Sequence, residues 1–120
     1  MEEQQIAIKE LARFVVDVIA DKKGEDIVLL DISSQTVIAD YFILCSAGSD
    51  RQIKAIVNDI GQQVKKEFGI FARSVEGNAD AGWVLIDLGD IVVHVFNPDA
   101  RAFYDLETLW HEATVLLKMQ

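Results

Sequence analysis

The segment between residues 83 and 96 constrains the fold more than any other part of the chain. Two runs of strand-forming residues, 83–88 and 91–96, flank Gly89-Asp90, a two-residue sequence that is typical of a β-hairpin turn. Such a short turn fixes the register, so Leu88 pairs with Ile91, and Trp83 with Phe96. Because paired residues point to the same side, the sequence predicts the composition of both faces.

The two predicted faces of this hairpin differ in their chemistry. One carries only aliphatic side chains and is expected to be core: Val84, Ile86, Leu88, Ile91, Val93 and Val95. The other mixes aromatic, acidic and imidazole groups: Trp83, Leu85, Asp87, Val92, His94 and Phe96. Such a mixture is typical of a protein interface, where Trp is enriched at energetically dominant positions. The alternative is a face covered by a helix, with His94 and Asp87 hydrogen-bonded to each other.

The rest of the chain predicts a single α/β domain with a mixed five-stranded sheet and helices packed against it. Apolar residues at helical spacing predict helices over residues 4–23 and 50–68, ended by Gly24 and Gly69. Ser49 and Gln52 fit a capping box at the start of the second helix. The remaining elements are predicted as strands at 27–32, 41–46 and 70–75, a flexible loop at 76–82, and short helical turns at 100–103 and 106–117.

Composition limits the classes of function. Twenty acidic residues against eleven basic ones give a net charge of −9, which disfavours nucleic acid as the primary contact. This charge favours a basic protein surface as partner, although it could simply keep the protein soluble. The single cysteine, Cys45, fits a reducing compartment, and we expect a cytoplasmic protein. No secretory signal is evident, and no apolar run approaches the ~20 residues that cross a bilayer.

Signs of catalysis are weak, and we expect no enzyme, cofactor or metal. Gly48-Ser49 at a helix start resembles the phosphate-binding Gly-Ser of nucleotidyltransferases, which also need two carboxylates one residue apart on a following strand. The chain offers only Asp59 inside a helix, and Asp87 and Asp90 on either side of a turn. Metal-ligand spacing is lacking, so a weak surface site of Asp87, Asp90 and His94 is the remaining guess. Cys45 is expected in the core.

Several blocks together resemble the ribosomal silencing factor (Iojap-like) family. The blocks follow the family order and spacing over residues 27–110, within a single domain of residues 1–120. The long block from Trp83 to Phe96 is the most specific. The shorter ones are Asp40-Tyr41-Phe42, Ser49-Asp50-Arg51-Gln52, Val75-Glu76-Gly77 and the block from Phe103 to Trp110. The tail after Trp110 lies outside the matched blocks.

The resemblance implies a nucleotidyltransferase-like fold without the catalytic residues. It implies binding to the large ribosomal subunit through ribosomal protein number fourteen, which would block association with the small subunit and repress translation. It also implies a homodimer when the protein is free, and a contact surface that includes Trp83. The hairpin pairing adds Leu85, Asp87, His94 and Phe96 as expected partner-binding residues. Tyr104 and Trp110 are expected to pack the final helix onto the sheet, or else to contribute to a contact surface.

Three alternatives stay open at this point. The same docking could serve assembly of the large subunit instead of silencing. An active nucleotidyltransferase is disfavoured by the missing carboxylate pair. Generic RNA binding is disfavoured by the negative charge, and a steep salt dependence of binding to naked rRNA would revive it.

Overall fold

The computed structural model describes residues 2–120, with side chains described from Ala7 onward. The elements are α1 (Glu2–Asp21), β1 (Glu25–Asp31), β2 (Tyr41–Ser46), α2 (Asp50–Phe68), β3 (Ser74–Asn78), a short 3-10 helix (Ala79–Ala81), β4 (Trp83–Asp87), β5 (Ile91–Phe96), α3 (Pro98–Tyr104), α4 (Leu106–Leu109) and β6 (Thr114–Met119). In this part of the chain, no helix is long and apolar enough to span a bilayer.

The strands form one mixed sheet in the order β3-β4-β5-β2-β1-β6. The β2–β5 pair is parallel, and the other neighbours are antiparallel. Helices α1 and α2 cover one face of the sheet, where the predicted aliphatic face of the hairpin lies in the main core. The short helices α3 and α4 lie against part of the other face, over a second apolar cluster.

The predicted hairpin register is confirmed. Trp83 pairs with Phe96 and Leu85 with His94, and the amide of Leu88 donates to the carbonyl of Ile91 at 2.9 Å. The predicted start and end of α2 also match the structure. The Ser49 side chain accepts from the amide of Gln52, and Gly69 ends the helix with a left-handed conformation. Local sequence signals were sufficient for both elements, because turn and cap geometry depend on neighbouring residues.

The prediction of five strands was wrong, because residues 114–119 form a sixth strand. The sequence predicted a helix over residues 106–117, whereas α4 ends at Leu109 and β6 pairs with β1. The apolar run Val115-Leu116-Leu117 suits either a helix or a strand. Tertiary context decides in favour of the strand, because β6 satisfies the backbone groups that β1 would otherwise leave unpaired at the sheet edge.

Two other boundaries differ from the prediction. The third strand was expected at residues 70–75, but β3 runs from Ser74 to Asn78 and includes the first three residues of the expected loop. As an edge strand whose side chains are mostly exposed, it lacks the apolar pattern by which strands are recognised. Helix α1 ends at Asp21, and Lys23, rather than a glycine, adopts the left-handed conformation at its end with φ of 65°.

Candidate protein interface

The second face of the sheet is divided into two halves. The covered half lies under α3 and α4. Its buried residues include Phe42, Leu44, Val92 and Phe96, and Leu106 and Trp110 pack against them. The open half lies on β3 and β4, where Glu76, Gly77, Trp83 and Leu85 line a shallow cavity of about 230 Å³. These four residues are called the open patch below. The division follows from the sheet order, because α3 continues directly from β5 and its short length leaves β3 and β4 uncovered.

Trp83 stands at the boundary between the two halves, and three contacts fix its indole. The ring stacks on Phe96 with centroids 5.1 Å apart and packs against Tyr104 at 4.4 Å. Its Nε1 donates a hydrogen bond to Nδ1 of His94 at 3.2 Å. The side chain is half-buried, so part of the ring still lines the cavity. An aromatic group that is both ordered and partly exposed is suited to act as an anchor in a protein contact.

His94 supports this indole from below the surface. Its side chain is only 4% exposed, and burial lowers its pKa to about 4. The imidazole is therefore neutral at physiological pH, and because Nδ1 accepts from Trp83, the ring proton resides on Nε2. Nε2 has no hydrogen-bond partner among the described residues, and the ring packs edge-to-face on Phe42 at 4.8 Å. The single acceptor nitrogen of the neutral imidazole is therefore occupied by the Trp83 indole.

Asp87 does not pair with His94. Its Oδ1 instead accepts from the amide of Gly89 at 2.8 Å and so stabilises the hairpin turn. The hydrogen bond expected between His94 and Asp87 was therefore wrong, and the helical cover expected with it applies to one half of the mixed face. Short helices cover the β5 side, whereas the β3–β4 side remains exposed.

The five residues proposed from the sequence occupy two depths. Trp83, Leu85 and Asp87 are half-buried and reach the surface, whereas His94 and Phe96 are buried beneath them. The structure also adds two residues to this surface. Glu76 joins it because β3 continues into the expected loop, and Tyr104 joins it because its side chain is 47% exposed beside Trp83. Only the pairing of β3 with β4 could have placed Glu76 here.

Tyr104 and Trp110 have different roles, although one role was expected for both. Trp110 packs edge-to-face on Phe42 at 5.2 Å and belongs to the covered half. Tyr104 lies between Trp83 and the exposed Phe103, whose ring centroid is 5.1 Å away. An aromatic series therefore runs from the buried Phe96 through Trp83 and Tyr104 to the surface of α3.

One arginine fastens the covering helices to the sheet. Arg101 of α3 binds both carboxylate oxygens of Glu107 at 3.0 and 3.2 Å, and it donates to the Ser46 hydroxyl at 3.1 Å. It also donates to the backbone carbonyl of Asp26. The guanidinium joins α3 to the start of α4, to the beginning of β1 and to the end of β2. It therefore holds the covering helices α3 and α4 in place on the sheet.

The positions that suggested chemistry have structural roles. Gln52 bonds to the amide of Gly48 at 2.7 Å and to the carbonyls of Lys22 and Lys23, so the start of α2 is tied to the end of α1. Cys45 is buried, and burial raises the pKa of its thiol to about 12. Within residues 7–120, no group of three or more His, Cys, Asp or Glu side chains has metal-binding geometry.

The chain is similar in sequence to a known protein family and to several of its members. A family model described as "Ribosomal silencing factor during starvation" matches residues 5–120. The chain is 45% identical over 105 residues to the ribosomal silencing factor RsfS of Halalkalibacterium halodurans, covering 88% of this chain and 89% of that protein. Chloroplastic Iojap of Zea mays is 36% identical over 96 residues, which are 77% of this chain and 40% of that protein.

A solved structure supports the same relationship. A crystal structure of a protein from Chromobacterium violaceum superposes with a TM-score of 0.82 at 38% sequence identity. The superposition covers 87% of this chain and 86% of that chain. The sheet and its covering helices are therefore an arrangement that this chain has in common with an experimentally determined relative.

Proposed function

The chain belongs to the ribosomal silencing factor family, and from this premise we propose that it represses translation by binding the large ribosomal subunit through ribosomal protein number fourteen. The bound protein excludes the small subunit by occupying its joining surface. It acts in the cytoplasm. A homodimer is the proposed state of the free protein. The family supports a role in silencing at the ribosome; the partner and the steric mechanism are the content of this proposal.

The observation that carries the proposal is the half-exposed, rigidly held Trp83 on an otherwise uncovered part of the sheet. Trp83, Leu85 and Asp87 supply contacts, and His94 and Phe96 act indirectly by holding the indole. A standard interface buries about 800 Å² per partner, so the proposed contact must extend from the open patch to Tyr104 and the neighbouring edge of β3. The net charge of −9 favours encounter with a basic ribosomal protein.

A steric mechanism needs no reaction centre. The helix start at Ser49 is used for capping, and β3, the strand that follows α2, carries a single carboxylate, Glu76, where a nucleotidyltransferase needs a pair. Exclusion of one subunit by a bound protein requires affinity and position only. The proposed activity therefore depends on how well the open patch binds, and no step of bond making is involved.

The test follows subunit joining by sedimentation. Purified large and small subunits are mixed with a saturating amount of the protein, of Trp83→Ala, or of Phe71→Ala as a matched control. Phe71 is an exposed aromatic residue away from the open patch, so its truncation should leave binding intact. Wild-type protein and the control should keep the subunits apart. Trp83→Ala should weaken binding by about 2 kcal/mol, or roughly 30-fold, and restore joining.

Two results would contradict the proposal. Normal joining of large subunits that demonstrably carry the wild-type protein would remove the steric mechanism. Unchanged affinity of a folded Trp83→Ala variant, checked by thermal melting, would remove Trp83 from the contact surface.

A further inference from the structure

We propose that the open patch binds an arginine side chain of the partner protein, with the guanidinium against the Trp83 indole and paired to the Glu76 carboxylate. The inference deepens the proposed function and rests on it, because it specifies the chemical group that the docked protein must present. Four features of the described residues carry it: a free carboxylate, a close approach of two strands, an indole without a free donor, and the charge of the chain.

The free carboxylate belongs to Glu76. The register of β3 and β4 places Glu76 opposite Leu85, so its side chain lies on the same face as Trp83. Glu76 is exposed, and its described hydrogen bond is a long one of 3.4 Å from the Ser74 hydroxyl. Among the described residues, no ion pair involves Glu76. The carboxylate is thus available to a cation that enters the cavity.

The close approach of the two strands is at Gly77. This residue has φ of 83°, in the region that favours glycine, and a Cβ built on it would collide with the carbonyl oxygen of Trp83. Only a residue without a side chain lets β3 lie this near to the start of β4. The close approach brings the Glu76 carboxylate and the Trp83 indole to the same cavity of about 230 Å³.

The indole determines what can bind beside that carboxylate. Its Nε1 already donates to His94, so a partner gains little by offering a hydrogen-bond acceptor to it. The ring still offers its π surface, which attracts cations, and a planar guanidinium can stack on it while donating to a carboxylate. The methylene stem of an arginine would contact Leu85, which also lines the cavity.

Charge and desolvation exclude an apolar group as the preferred occupant. An aliphatic side chain would remove water from Glu76 without replacing its hydrogen bonds, which is unfavourable. A basic group removes that penalty, and the net charge of −9 raises the local concentration of basic partners. Lysine carries the same charge but lacks the planar guanidinium. Arginine is therefore better able to stack on the Trp83 indole while it pairs with the Glu76 carboxylate.

The first experiment uses the isolated protein and does not depend on the ribosome. N-acetyl-arginine amide is titrated into 15N-labelled protein while the Trp83 indole signal is followed, with the lysine and citrulline amides as controls. Citrulline has nearly the shape of arginine without its charge. We expect a saturable shift with arginine, a weaker one with lysine, and at least a fivefold loss of affinity in Glu76→Gln. Equal effects of arginine and citrulline, or of arginine and lysine, would overturn the inference.

The second experiment measures binding to large subunits. Glu76→Gln should bind about tenfold more weakly than wild type and show a smaller salt dependence, since one charged contact is lost. Glu67→Gln is the matched control, because it removes the same charge from the exposed end of α2 on the opposite face. Equal losses in both variants, or none in Glu76→Gln, would overturn the inference while the proposed function stands. If wild-type protein fails to bind subunits, the proposed function falls, and the arginine titration alone decides the inference.

Discussion

The covered and open halves of the mixed sheet face lie on neighbouring strands of one sheet but have different surroundings. Phe96 and Trp83 are paired aromatics on neighbouring strands, yet Phe96 is fully buried while Trp83 reaches the surface. The difference arises because the short helices α3 and α4 lie over the second apolar cluster and reach β4 mainly through Tyr104. One alternating strand pattern can therefore contribute to a core in one place and to an interface in another, depending on where the covering helices end. Four changes test this division.

The largest expected effect is on stability in the covered half. Phe96→Ala removes a fully buried ring that contacts Trp83 and packs in the second apolar cluster. We expect a loss of about 3–5 kcal/mol in the free energy of unfolding, as for other buried aromatics. Urea denaturation would measure it. A loss below about 1 kcal/mol would show that the helices cover this half only loosely.

The next largest effect concerns pH. Burial lowers the pKa of His94 from 6.5 to about 4, so the unfolded chain binds a proton more readily than the folded one between these values. Stability should therefore fall as pH decreases from 6.5 to 4, by at most about 3 kcal/mol. His94→Gln should flatten this slope in urea denaturation at a series of pH values.

The His94 contribution must be taken from the difference between wild type and variant. Burial raises the pKa of Asp40, which acts in the opposite direction because the folded state then gains protons as pH falls. Asp40 is present in both proteins, so its effect cancels. Identical slopes for wild type and His94→Gln would mean that His94 is not a buried neutral group.

A smaller effect is expected where the covering helices are fastened. Arg101→Met keeps the apolar stem but removes the bonds to Glu107 and Ser46, at a cost of about 2 kcal/mol. Amide hydrogen exchange should quicken in α3 and α4 more than in α2. Arg51→Met, at an exposed position of α2, is the matched control. A uniform acceleration of amide exchange along the chain would show that Arg101 stabilises the whole fold and not specifically α3 and α4.

The smallest effect on stability is expected in the open half. Leu85→Ala should cost about 1 kcal/mol of stability, because the side chain is only half-buried, but should weaken binding to large subunits about fivefold. Val75→Ala on the neighbouring strand removes an exposed aliphatic group from the opposite face and is the control. If Leu85→Ala destabilised the protein as much as Phe96→Ala, the distinction between the two halves would fail.

Sequence reasoning predicted the hairpin and α2 well but misjudged the edges of the sheet. Residues 83–96 carry their own turn and alternation, and Ser49 and Gly69 carry their own caps. Strands β3 and β6 lie at the two edges, where one side has no neighbour and side chains are largely exposed. Strand β6 depends on pairing with β1, which is distant in the chain, and β3 depends on pairing with β4 across a short connection; the local pattern of a single strand contains neither pairing.

The residues of the candidate site were also predicted only in part from the sequence. Trp83, Leu85 and Asp87 were placed on one face by the register alone. The bond between Trp83 and His94 was not foreseen, because His94 was expected to pair with Asp87 if with anything. Side-chain partners of this kind depend on rotamers and on ring packing with Phe42 and Phe96. Glu76 was missed because its strand was taken for a loop.

The sequence by itself determined which side chains share a face of the hairpin, since a two-residue turn and a period of two are properties of adjacent residues. Only the tertiary structure decided which part of that face is available to a partner. Arg101 lies 75 residues from Asp26 and 55 residues from Ser46 in the chain, and its bonds to them help to set where the covering helices lie. The limit of that cover leaves Glu76 exposed and Trp83 half-buried, and it depends on contacts between distant parts of the chain.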